Sequence, residues 1–192
     1  RGGGNTNAQR LPFSPIPSPG VGMRGHSHDT RTFTTMNLSA LRAASGAIIG
    51  RDHMARQANY QDAHALLQSD SALVAVVCDG CGDGPCSEVG ARLGAQFIAA
   101  EAMRMLESGV HIDDLPATLY GVTLDYLRAL IALSAPINPV GFIRDHLLFT
   151  VIGVALTAKG GVIFAAGDGF IFIDEQTIRL DQQNTPYYIA YH

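Results

Sequence analysis

The order of elements in this chain predicts an α+β fold: strands, then two long helices, then strands again. Three observations carry that reading. The run Leu73-Val74-Ala75-Val76-Val77-Cys78 is apolar, preceded by turn residues and closed by Asp79-Gly80, as expected of a buried strand. Apolar residues recur at helical spacing across residues 87–108 and again from Leu115 to Leu133. Beyond Pro139, short apolar runs are separated by Lys159-Gly160-Gly161 and Glu175-Gln176, the pattern of a meander. A parallel sheet would need strands and helices to alternate, and they do not.

Taken in order, residues 1–38 are rich in Gly, Pro, Ser, Thr and Asn, with Pro12, Pro15, Pro17 and Pro19 excluding a helix. They read as a flexible leader to a domain over 39–192. Residues 47–50 form a short strand candidate and 62–68 a second. Ser69-Asp70-Ser71 supplies the turn into the strand 72–78, which predicts a hairpin. Ser87 is the expected N-cap of the first long helix, with Glu88 favouring its positive end and Gly109 stopping it. Its predicted apolar face is Val89, Leu93, Phe97, Ala100 and Met103. Asp113-Asp114 opens the second helix, whose face is Leu115, Leu119, Val122, Tyr126, Leu130 and Leu133, and Pro136 and Pro139 end it. The strands that follow are expected at 147–156, 162–166, 170–174 and 177–180.

Composition narrows the function classes. The 192 residues carry a formal net charge of −4 and no basic block, which argues against nucleic acid as a partner. No apolar run is long enough to span a membrane. With no apolar signal segment and only three cysteines there is no disulfide framework, so a cytoplasmic location is expected. The chain opens on Arg1 and ends on Tyr191-His192, and both ends read as cut.

The chemistry lies in the acidic residues. Asp79 ends a strand beside Gly80, Asp62 follows Asn59-Tyr60-Gln61, and Asp168 sits between Gly167 and Gly169 after another apolar run. Carboxylates at strand ends beside glycine suit hard cations such as Mg²⁺ or Mn²⁺. Converging carboxylates repel one another unless a cation lies between them, so convergence would predict a metal.

These residues also carry a family resemblance. Asn59-Tyr60-Gln61-Asp62, then Asp79-Gly80-Cys81-Gly82, then Ser87-Glu88-Val89-Gly90 with its Ala-rich helix resemble the opening of the metal-dependent type 2C protein serine/threonine phosphatases. Leu148-Phe149-Thr150-Val151, Ala166-Gly167-Asp168-Gly169 and Asn184-Thr185-Pro186-Tyr187-Tyr188 are similar to later elements of a bacterial branch, so the resemblance covers about residues 45–192. It implies a central antiparallel β-sandwich flanked by helices in α-β-β-α layers. It further implies hydrolysis of phosphoserine and phosphothreonine in a phosphorylated protein substrate by a water bridging two Mn²⁺ or Mg²⁺ ions. Asp79 would bridge the ions, the Gly80 carbonyl would complete one shell, Asp62 would hold metal or its water, and Asp168 would stand by a third, weaker ion. A phosphate-gripping arginine precedes the first aspartate in some members. Arg51 and Arg56 are the nearest here, out of register, and with His64 they are the candidate substrate-binding residues.

The chain also departs from the family pattern. Gln61 stands where many members have a ligating glutamate, Asp83 replaces an expected glycine, and the family's later aspartates fall beyond His192. The chain is therefore expected to be an N-terminal portion, carrying about half of a metal site and weakly active by itself. The alternative is a catalytically silent domain that binds phosphoproteins or a regulator. A zinc or redox reading of Cys78-x-x-Cys81 with Cys86 stands third, against a default of Cys78 in the core and the other two in a loop. His53 and His64 flank the acidic set and are candidate general acids.

Overall fold

The structure, a computed structural model, describes residues 14–15, 36–56, 59–135, 137–181 and 187–192. The expected leader therefore lies almost wholly outside the described residues. Its Ser14–Pro15 (β1) forms a two-residue strand. The main elements are α1 (Arg51–Arg56), β2 (Asp62–Gln68), β3 (Ala72–Gly80), α2 (Ser87–Glu107), α3 (Leu115–Ser134), α4 (Pro139–Phe142), β4 (Phe149–Thr157), β5 (Gly160–Ala166), β6 (Gly169–Ile173) and β7 (Gln176–Leu180). The class is α+β, as the element order predicts.

One antiparallel sheet runs in the order β1-β5-β4-β3-β2, and β6 and β7 pair separately. The predicted hairpin is present, with Asp62 opposite Asp79 and Gln68 opposite Leu73. Its turn is closed by the Ser69 amide donating to the Ala72 carbonyl at 2.8 Å. Side chains alternate across the sheet. One face carries Ala63, Ala65, Val74, Val76, Cys78, Phe149, Val151, Ala155 and Phe164, all buried. It is covered by α2, and α3 packs on α2 through Phe97 stacked on Tyr126, centroids 3.9 Å apart. On the opposite face Ala75, Val77, Ile152, Val154 and Ile163 share a concavity with Phe170–Ile173 of β6, so the β6–β7 hairpin forms a second β layer there.

Several local expectations change. Residues 47–50 are irregular, not a strand, and Ile48 is 86% exposed. A short apolar run between Gly46 and Gly50 is indistinguishable from a loop by pattern, and its place in the fold is the rim of an acidic recess. The buried face of α2 is Gly90, Ala91, Gly94, Ala95, Ile98, Ala99, Ala102, Met103 and Met105; Met103 is buried as expected, whereas Val89 and Leu93 are each 40% exposed and Ala100 faces solvent. Small residues win the face because the helix lies tight on the sheet: a Cβ at Gly94 would stand 2.5 Å from the Phe149 ring. On α3, Leu115 and Leu119 are buried as expected and Leu133 is exposed. The N-cap of α2 is Cys86, because the Ser87 hydroxyl donates to the Cys81 carbonyl instead. Pro139 begins α4 rather than simply ending α3, with the Asn138 side chain capping through Gly141 N–H.

Candidate functional site

Register brings the acidic residues together. Asp62 opens β2 directly opposite Asp79 near the end of β3, and Thr150 of β4 lies opposite Asp79 on the other side. In an antiparallel ladder such partners project to the same face, so Asp62, Asp79 and Thr150 form a row across three neighbouring strands. Asp168 joins from beyond the end of β5, in a turn whose Gly167 and Gly169 have φ of +101° and +153°. Those angles lie in the region that L side chains avoid. Gly167 also presses on Thr150, where a Cβ would come within 2.6 Å of its Cγ2. The turn therefore tolerates only glycine ahead of Asp168, and it carries that carboxylate back over the row.

Two recesses open on the carboxylates. One, of about 460 Å³, is lined by Asp62, Asp79, Thr150, Asp168 and His64, with Ile48 and Phe170 among its rim residues. The other, of about 220 Å³, is lined by Gly50, His53, Tyr60, Gln61, Asp62, Asp79, Gly80 and Gly82. Asp62 and Asp79 form the wall common to both.

The electrostatics record this crowding. The Asp79 carboxyl is pushed up to about 6, first by its partly enclosed setting, then by the charge of Asp62 and a side-chain hydrogen bond with it, and then by the charge of Asp168. Solvent still reaches Asp79. Burial and then Asp79 push the Cys78 thiol far up, which makes it a core group and not a nucleophile. The Tyr188 hydroxyl is pushed up by its partly enclosed setting, then by a hydrogen bond with Cys81, and last by the charges of Asp168 and Asp79.

The loop between β3 and α2 is tied down from below. Gln61 Nε2 donates to the carbonyls of Gly84 at 2.9 Å and Cys81 at 3.3 Å. The Gly80 amide donates to the Gln61 carbonyl at 3.3 Å, a contact that leaves no room for a side chain, since a Cβ at Gly80 would stand 2.8 Å from that oxygen. Gln61 is thus a brace in this chain. Gln61→Ala is expected to cost about 1 kcal/mol and to speed proteolytic nicking within residues 81–86, read by timed digestion and mass spectrometry.

Of the residues singled out from sequence, Asp62, Asp79, Gly80, Asp168 and His64 all line these recesses. Arg51 and Arg56 lie on the exposed side of α1, which presents His53 to the smaller recess instead. His64 Nδ1 is buried and has no hydrogen-bond partner among the described residues. Cys78, Cys81 and Cys86 are free thiols. Among the described residues no group of three His, Cys, Asp or Glu side chains is close enough to hold one ion, and no helix is long and apolar enough to cross a membrane. From sequence, Glu88 is placed only at the positive end of the helix and in Ser87-Glu88-Val89-Gly90; its burial is not foreseen.

A family profile described as protein phosphatase 2C matches residues 49–188. The chain belongs to the protein phosphatase 2C family. The matched stretch contains the whole acidic row, the smaller recess and strands β2 to β7 of this protein phosphatase 2C domain. No curated protein matches the chain. Among solved structures it is similar to the PP2C phosphatase domain with a fragment of the regulatory domain of the cell fate determinant SpoIIE from Bacillus subtilis. Identity is 16% and the TM-score 0.37, over 68% of this chain and 34% of that one. The protein phosphatase 2C chain described here thus spans about a third of the length of that relative.

Proposed function

We propose that this chain is a metal-dependent phosphomonoester hydrolase of the protein phosphatase 2C family, acting on phosphoserine and phosphothreonine in phosphorylated proteins. The observation that carries the reading is the row of Asp62 and Asp79 on adjacent strands, with Asp168 lining the same recess. Facing carboxylates, whose crowding raises the pKa of Asp79, form an oxygen donor set lacking positive charge, which is the chemistry a hard cation fits. Magnesium and manganese keep several waters and need only one or two carboxylates from a protein, so two close carboxylates and a more distant third suffice.

In this reading Asp62 and Asp79 would hold Mn²⁺ or Mg²⁺, with the Gly80 carbonyl as a further oxygen ligand and Asp168 beside a weaker position. Bound there, divalent cations would supply a nucleophilic hydroxide at neutral pH and neutralise phosphate charge. The chain's own groups do the rest. Thr150 and Gly167 hold Asp168 in place, Gln61 and Ser87 fix the loop that carries the Gly80 carbonyl, and His53 and His64 stand at the two recesses as donors to a departing alkoxide. Arg51 and Arg56, on the exposed side of α1, would reach only the outer part of a phosphopeptide.

The test is direct. Incubating the protein with a phosphoserine peptide and Mn²⁺ should release inorganic phosphate, even if slowly, and EDTA should stop it. Failure to bind Mn²⁺ in calorimetry, together with no release, would overturn the reading. Phosphopeptide bound and recovered intact in the presence of bound Mn²⁺ would instead favour a silent phosphoprotein-binding domain.

A further inference from the structure

Three consecutive residues ahead of Asp62 are each held by a different part of the α2 region. Asn59 Nδ2 donates to Glu88 Oε1 at 2.8 Å. The Arg92 guanidinium lies over the Tyr60 ring, 5.8 Å from its centroid. Gln61 reaches the carbonyls of the loop that leads into α2. Glu88 and Arg92 are one helical turn apart, so both side chains leave α2 on the same side. Asn59 is also gripped through its backbone: His53 Nδ1 donates to its carbonyl at 2.6 Å.

Glu88 is the unusual member of this set. It is 6% exposed, and its Oε2 is buried without a hydrogen-bond partner among the described residues. An ionisable side chain so enclosed is costly unless its one strong bond has a use. That bond reaches the segment that delivers Asp62 to Asp79, and Glu88 touches neither recess.

We propose that Glu88 and Asn59 are a positioning pair, which clamps the entry of β2 to the first turn of α2 and so sets the distance between the Asp62 and Asp79 carboxylates. The functional half of this inference rests on the reading of Asp62 and Asp79 as metal ligands. The positional half does not. Partners of ligating groups typically affect metal affinity by about 10–100-fold when removed.

The experiment uses the full chain, with Glu88→Ala, Asn59→Ala, the double variant and Glu88→Gln, which keeps an acceptor for the Asn59 amide. Amide hydrogen exchange is measured without metal, and Mn²⁺ affinity by calorimetry. In both alanine variants, exchange at Asp62 and Ala63 should quicken about tenfold, while Val74 and Val76 in the middle of β3 keep their protection. Mn²⁺ should bind about tenfold more weakly. The double variant should be no worse than either single one, as expected for one shared interaction, and Glu88→Gln should stay close to wild type.

Unchanged exchange at Asp62 in both alanine variants would overturn the positioning role. So would a uniform loss of protection across the sheet, which marks a merely structural residue. If the wild-type chain binds no Mn²⁺, the metal reading fails separately and the exchange data still decide the clamp. If Mn²⁺ binds the variants with wild-type affinity despite quickened exchange, the clamp does not serve the metal site and the functional half is wrong.

Discussion

Asp79→Asn is expected to remove Mn²⁺-dependent phosphate release, a fall of at least on the order of 10²-fold, and at the same time to stabilise the metal-free protein at neutral pH. The two effects have one origin. Asp79, like Asp62, lines both recesses, and it faces Asp62 across the β2–β3 ladder with Asp168 close by. Its pKa rises from the model-compound value of 3.8 to about 6, first from its enclosed setting and then from those neighbours.

The sign of the linkage follows. Below 3.8 the group is protonated in folded and unfolded chains alike, and its stabilising contribution is complete. Between 3.8 and about 6 the folded state holds the proton more tightly, so stability falls as pH rises, and it levels off above 6. Thermal melts of the metal-free protein should therefore show a midpoint that declines from pH 4 to roughly pH 6.5 through this group. Asp79→Asn, which carries no charge at any pH, should flatten that decline, and Mn²⁺ should raise the wild-type midpoint at pH 7 but not that of the variant. A variant with wild-type turnover, or one whose melting curve keeps the decline and the Mn²⁺ response, would exclude Asp79 from the site.

Phe149→Ala is expected to be the most damaging single change to the fold, costing about 3–5 kcal/mol, or on the order of 10 °C in thermal midpoint for a chain of this size. Phe149 is 1% exposed and opens β4 opposite Gly80. Its ring fills the space against Gly94 of α2, where even a methyl group would collide. The cavity cannot collapse easily, because α2 already lies close on the sheet. Since Thr150 is the next residue and Gly80 the cross-strand neighbour, loosening at Phe149 should also reach the acidic row, so Mn²⁺ affinity should fall along with stability. Urea unfolding would measure the first effect and calorimetry the second. A loss below 1 kcal/mol would mean the ring is not the wedge that its burial and the Gly94 contact indicate.

Much of the site could be read from residue order alone. The apolar run ending on Asp79-Gly80 is a strand end in any fold that buries it, and Ser69-Asp70-Ser71 makes the hairpin with 62–68 nearly inevitable. The register itself was not legible: a three-residue turn would pair Gln68 with Ala72 and Asp62 with Cys78, whereas the structure pairs Gln68 with Leu73 and so brings Asp62 opposite Asp79. The glycines on either side of Asp168 were visible as flanking residues, and the structure shows why both are needed: each has a positive φ. Less legible was anything that depended on which side of an element meets another. On α2 the larger residues Val89 and Leu93 were the natural choice for a buried face, yet the alanine and glycine side is the one against the sheet. Hydrophobicity favours burying the larger groups, but the space between α2 and β4 is already occupied by the Phe149 ring, and only small residues fit.

What the amino-acid order determined by itself, then, was most of the strands and helices and the presence of the β2–β3 hairpin, because turn chemistry and strand periodicity act over a few residues. Tertiary structure decided the rest: that Asp168 and Thr150 complete the row, that His53 rather than Arg51 or Arg56 faces the smaller recess, and that Glu88 is buried against Asn59. Those outcomes depend on contacts between segments tens of residues apart, whose energies arise only when the layers pack, and no local pattern encodes them.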